Sequence, residues 1–161
     1  MIITKEFLHD TLDYFEGNLI WKKSIGRLAK KGRIAGTINQ NGYLSICLLG
    51  KIYKLHRIIF FYHHGYFPKV VDHIDGNKVN NKIENLREAS ISQNAWNSKI
   101  RITNKSGVKG ISWDKKANKW RASCTVNYKQ NNLGCFEDIE EAKKVIKNFR
   151  NLHHKEFSKH Y

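Results

Sequence analysis

Along the first hundred residues, apolar positions come in short bursts separated by glycine and asparagine rather than in long periodic stretches. "NLIWKK" (18–23) and "GYLSICLLGKIYKLHRIIFFY" (42–62) are rich in β-branched and aromatic residues, with turn signals at Asn41-Gly42 and at Leu49-Gly50-Lys51. That pattern predicts short strands joined by tight turns. The apolar run "IIFFY" (58–62) fits a core strand or a buried helical segment, and is far shorter than the ~20 residues a membrane span requires. "KVVDHI" (69–74) reads as a further strand, "LREAS" (86–90) as another, and a helix is expected from Ser90, where Ser90 and Gln93 have capping-box spacing.

The remainder is patterned more plainly. Three strands are expected near 108–113, 119–127 and 130–136, joined by turns at "DKKAN" and "NYKQN". A helix follows, opened by Asp138 and Glu141, with Ala142, Val145, Ile146, Phe149 and Leu152 at three- and four-residue spacing. The polar, basic stretch at 98–107 carries no apolar period and reads as a joint. The expectation is an α+β chain: a β-rich domain over 1–100, a linker at 101–106, and a three-stranded sheet with one helix over 107–161.

Charge narrows the partners. Twenty-nine Lys and Arg against fourteen Asp and Glu leave +15 over 161 residues. An excess of that size favours polyanions, because cationic side chains displace the counterions condensed on phosphate. The segment 22–36 concentrates it: Lys22, Lys23, Arg27, Lys30, Lys31 and Arg33 occur without one acid among three glycines, a composition suited to tracking a phosphate backbone. The N-terminus lacks the charged and apolar regions of a secretion signal. Cys47, Cys124 and Cys135 are odd in number, far apart and free of C-x-x-C spacing, so packed thiols of a cytoplasmic protein are expected and a structural zinc site is not.

The chemistry concentrates in "VVDHIDGNKVNNKIENLREASISQN" (70–94). Phosphodiester hydrolysis needs a base that works near neutral pH, and the imidazole of His73 is one. It also needs a cation where negative charge develops. Hard Mg2+ accepts one carboxylate and one amide oxygen while keeping water, a set that Asp72 and Asn94 can supply. Asn85 is placed to tie the loop and aim His73. Strand alternation sends Asp72 and His73 to opposite faces. The scheme therefore requires either a cation and a phosphate on the two sides of the strand end, or a local distortion there. Asp75-Gly76-Asn77 reads as a tight turn, and His56 as a structural or phosphate-contacting residue.

"HRIIFFYHHGYFPKVVDHIDGNKVNNKIENLREASISQN" resembles the HNH nucleases of the ββα-metal class, particularly phage and intron-encoded homing endonucleases, over about residues 40–98. The resemblance implies a site-specific endonuclease for double-stranded DNA, with His73 as base, Asn85 as loop brace and Asp72 and Asn94 as ligands to one Mg2+ or Mn2+ ion. It also implies that Arg57 and Arg87 lie near DNA. A DNA-binding regulator with a silent nuclease motif is the alternative. From residue 106 to about 157, "SGVKGISW", "KWRA" and "LGCF" resemble the ethylene-response-factor (AP-two) DNA-binding module. That likeness implies that Lys109, Trp113, Lys115, Lys119, Trp120 and Arg121 lie on or beside a DNA-facing sheet, with Gly134 and Phe136 packing sheet on helix; for Trp113 and Trp120 a place in the core is an equal alternative. The implied setting is a bacterial cytoplasm, with no membrane, and a monomer or dimer on the duplex.

Overall fold

In a computed structural model, residues 2–100 and 102–157 are described. The chain divides after Ala89 into two compact units. No helix among the described residues is long and apolar enough to cross a membrane.

The first unit opens with α1 (Lys5–Thr11), whose first turn is capped by the Thr4 hydroxyl accepting from the Phe7 N–H. A hairpin follows, β1 (Leu12–Phe15) and β2 (Asn18–Trp21), then the basic loop and a small antiparallel sheet of β3 (Thr37–Ile38), β4 (Leu44–Leu48) and β5 (Lys51–Lys54) in sequential order. The chain then enters α2 (Leu55–His64). Of the two readings open for "IIFFY", core strand or buried helical segment, the helical one is found. Leu55, Ile58 and Ile59 are fully buried at helical spacing, and Gly65, at φ +79°, ends the helix. Burial of an i, i+3, i+4 face outweighs the strand preference of β-branched residues. β6 (Val70–His73) and β7 (Leu86–Ala89) complete the unit as an antiparallel hairpin whose connection is the asparagine-rich loop. Its core gathers Leu8, Leu12, Leu19, Ile46 and Leu48 around α2.

The second unit begins at Ser90, earlier than the joint expected at 98–107. α3 (Ile91–Asn97) carries the capping box read from the sequence, with Gln93 N–H on the Ser90 hydroxyl and Ser90 N–H on the Gln93 carbonyl. The helix belongs here because Trp96 stacks on His154 at 4.0 Å and donates from its indole nitrogen to the Thr125 carbonyl. β8 (Ile111–Asp114), β9 (Lys119–Val126) and β10 (Lys129–Phe136) form an antiparallel sheet with β9 central, and α4 (Ile139–His154) packs on it. Asp138 caps α4 through the Glu140 N–H. The buried face of α4 is Ala142, Ile146, Arg150 and His154, whereas Leu152, expected on the apolar stripe, is exposed. All three cysteines are free, but only Cys124 is packed; Cys47 and Cys135 are exposed.

Gly110 marks the tightest approach in this unit. It holds φ +72°, and a Cβ there would sit 2.2 Å from the Ser123 carbonyl oxygen and 2.7 Å from Ile146 Cδ1. Gly110→Ala is expected to lower stability by about 3 kcal/mol or more, read as a reduced urea midpoint.

Candidate active site

Asp72 and His73 end β6, opposite Arg87 and Leu86 of β7. Both are buried, at 5% exposure, although neighbours on a strand face opposite ways. Their surroundings differ accordingly. The Asp72 carboxylate receives the Arg87 Nε–H at 3.0 Å, an ion pair almost closed to solvent. His73 sits among rings and amides: its centroid lies 4.8 Å from His56, edge to face, and 6.1 Å from Tyr43.

The direct amide partner of His73 is Asn81. Its Oδ1 lies 2.9 Å from His73 Nε2, and Asn81 is 2% exposed. An amide oxygen only accepts, so Nε2 is the donor in this bond. Asn81 Nδ2 is buried with no partner among the described residues, a cost carried to keep Oδ1 against the imidazole. His56 packs beside them with its pKa pushed down to about 3, chiefly by burial and then by the charges of His73, Lys54 and Arg57. It therefore presents a neutral ring to His73.

The remaining asparagines hold the loop. Asn85 accepts from the Asp75 N–H at 3.0 Å and donates to Asp75 Oδ1 at 3.0 Å and to the Asn80 carbonyl at 2.7 Å. Asn77 N–H and Asn80 Nδ2 each donate to the Asp75 carboxylate at 2.7 Å. Burial pushes the Asp75 pKa up, but these bonds together bring it below the usual carboxylate value. Asp75 is thus the hub of the loop rather than a turn residue alone. The hairpin β1–β2 backs the same loop: Ile83 N–H donates to the Tyr14 hydroxyl at 2.9 Å, and Lys82 pairs with Glu16. Gly17, at φ +81°, leaves a Cβ position 2.7 Å from Lys82 N, so the backbones meet where no side chain fits.

For a divalent cation the first unit offers one buried carboxylate, Asp72. Among the described residues no group of three or more His, Cys, Asp or Glu could hold a metal. A hydrated hard cation can be held by one or two carboxylates, and Asp72 is the one this unit would offer, paired here with Arg87. Asn94 stands exposed on α3, in the second unit.

Several residues expected at DNA have structural partners. Arg57 donates to the Pro68 and Lys69 carbonyls. Lys109 bonds the Trp96 carbonyl and the Ser98 hydroxyl. In the loop, Lys22 and Lys23 pair with Asp13 and Asp10, while Arg27, Lys30, Lys31 and Arg33 are exposed. Strand register sorts the C-terminal set. Trp113 opposes Trp120, two residues along from the buried Ile111–Ala122 pair, so both indoles belong to the helix-facing side. Their rings meet edge to face at 5.0 Å, and Trp120 packs on the core. Lys119 and Arg121 alternate with them onto the open face and pair with Glu137 and Asp114. Lys115 is exposed in the connecting turn. Sequence reading missed Asn81, Tyr43, Lys54 and Lys78; the adjacent pair Asn80-Asn81 was the one available signal for the first of these.

The end of this hairpin holds a buried imidazole bonded to an amide, next in sequence to a buried carboxylate paired with a guanidinium. Residues 53–96 match the family described as HNH endonuclease. The chain is 39% identical over 89 residues to Protein 3.8 of Escherichia phage T7, covering 55% of this chain and 71% of that protein. It is 41% identical over 93 residues to an uncharacterized HNH endonuclease of Acanthamoeba polyphaga mimivirus, covering 56% of this chain and 46% of the relative. Residues 53–96 of this chain form an HNH endonuclease domain, with phage and mimivirus relatives. No solved structure matches it.

Two outcomes follow from the buried cluster. Asn81→Ala removes the acceptor from a buried ring nitrogen and is expected to cost about 1–3 kcal/mol in urea unfolding. The lowered pKa of His56 means that the unfolded chain binds a proton the folded chain refuses. Its contribution to stability is lost as pH falls from 6.5 toward about 3. His56→Leu is expected to shrink the loss of urea midpoint between about pH 7 and about pH 5.

Proposed function

We propose that the chain is a divalent-metal-dependent, site-specific endonuclease of homing type acting on double-stranded DNA. The observation that carries this reading is the buried bond from His73 Nε2 to Asn81 Oδ1. It fixes the orientation of the imidazole that would take a proton from water attacking phosphorus. Neutral His56 beside it adds no repulsion to the imidazolium that results. Asn85, through Asp75 and Asn80, keeps the loop that bears Asn81 in one shape.

Asp72 is the proposed protein ligand for Mg2+ or Mn2+, its carboxylate held in place by Arg87. The resemblance alone adds Asn94 as a second oxygen donor. A cation bound there would neutralise charge developing on the phosphate and the leaving oxygen. The exposed cations of the loop at 22–36 would follow the DNA backbone, and the open face of the C-terminal sheet, with Lys119 and Arg121, would contribute the AP-two-like grip. A three-stranded sheet fits the major groove, which admits β-structure. Lysine lacks the flat fork that arginine offers to guanine, so base discrimination through Lys119 is softer than through Arg121.

His73→Ala is expected to lower cleavage of plasmid DNA by about 10²–10⁴-fold in Mg2+, with gel-shift affinity nearly unchanged. EDTA should stop the wild-type reaction. Normal cutting by the variant would remove His73 from the chemistry.

A further inference from the structure

Three separate segments of the first unit place their polar ends around one tyrosine. Tyr43 follows a turn stiffened by Asn39, whose Oδ1 accepts from Asn41 N–H at 3.0 Å and Tyr43 N–H at 3.1 Å. Over its ring stand the ammonium groups of Lys54, 4.5 Å from the centroid, and Lys78, 4.9 Å from it. Lys54 comes from the β5–α2 junction, and Lys78 from the asparagine-rich loop, where its Nζ also donates to the Asn41 carbonyl at 3.0 Å.

The charge arrangement is the informative part. Lys22, Lys23, Lys82, Arg87, Lys119, Arg121 and Lys143 each meet a carboxylate, whereas neither Lys54 nor Lys78 forms such a pair among the described residues. Two ammonium groups gathered on one ring without an anion repel each other, and an incoming anion relieves that. The ring's electron-rich face explains how they stay there. α2 begins at the same point with no acid in its first turn and no side-chain cap, so the positive end of its dipole adds to the field. Tyr43 is also the ring beside the chemistry, 5.3 Å from His56 and 6.1 Å from His73 by centroid.

We propose that Tyr43, Lys54 and Lys78 form a clamp for the DNA phosphates on either side of the one that is cut. The proposal rests on the nuclease reading above and names the part of the substrate held next to His73. Ammonium groups bind phosphate as point charges and read no base, so the clamp would set the depth and register of the strand without contributing sequence preference.

The test uses the full chain and a duplex on which the wild-type cut has been mapped. Lys54→Ala, Lys78→Ala and the double variant are titrated without divalent metal over a range of salt. Each lysine lost should lower the slope of log K against log salt by about 0.9. Single methylphosphonates are then walked along the cut strand. The expected result is a pair of positions flanking the cut where neutralisation weakens wild-type binding and leaves the double variant unaffected. Tyr43→Phe should behave as wild type and Tyr43→Leu should lose part of the effect. Unchanged salt slopes, or sensitive positions remote from the cut, overturn the clamp. Circular dichroism separates a folding failure from a binding loss, and both lysines are exposed. If the chain cuts no duplex, the nuclease reading fails on its own. The phosphate contacts then stand or fall on salt slopes measured with a random-sequence duplex.

Discussion

The short bond between the imidazole of His73 and the amide oxygen of Asn81 is the contact around which the first unit is organised. Both side chains are nearly closed to solvent, and a buried imidazole whose ring nitrogen lost its partner would bear the full desolvation cost. Keeping that amide in place requires a rigid loop in a region with almost no apolar side chains to pack. Asparagines do this work because each supplies a donor and an acceptor without adding charge. Asn77, Asn80 and Asn85 all converge on Asp75, and the loop closes on itself before it meets anything else. The dense run of asparagines behind an Asp-His pair is therefore scaffolding for a single ring.

The scaffold has an outer layer. The hairpin of β1 and β2 meets the loop through the Tyr14 hydroxyl, the Lys82–Glu16 pair and the backbone approach at Gly17. α2 contributes His56 from the opposite direction, buried and neutral. The imidazole thus meets an amide, a neutral ring and a tyrosine, none of which brings a charge. Asp72 meets a different environment one residue away. Its carboxylate stays next to a guanidinium, where low exposure strengthens the attraction. Strand alternation, which looked like an obstacle to joint action by neighbouring residues, is what separates the two electrostatic settings.

What could be read from the sequence was whatever lay within one element. The capping box at Ser90 and Gln93, the three C-terminal strands and the helix after Asp138 were all visible as local spacing. The helix α2 was one of two open readings, because β-branched and aromatic residues at Ile58–Tyr62 favour strand locally and burial selects the helix. Asn81 was hidden among near-identical neighbours, since nothing in the run distinguishes the amide that reaches an imidazole from those that tie the loop. Tyr43, Lys54 and Lys78 come from three separate segments, and their meeting is a property of the folded chain alone. For the two tryptophans of the C-terminal sheet, the motif left DNA contact and core packing equally open. Register with Ile111 and Ala122 places them on the helix-facing side.

The contrast between Gly17 and the basic segment nearby bears on how such a chain can diverge. Around Gly17, hairpin and loop touch backbone to backbone, so any insertion in either would displace the imidazole. From Lys22 to Ile34 nearly every side chain faces solvent, and the ends of the excursion are pinned by the Trp21–Arg33 backbone bonds and by buried Ala35. Mutational drift can therefore rewrite the length and composition of that arm while leaving the buried His73 cluster untouched. Descendants of one ancestor would then share one interior beneath differing basic arms.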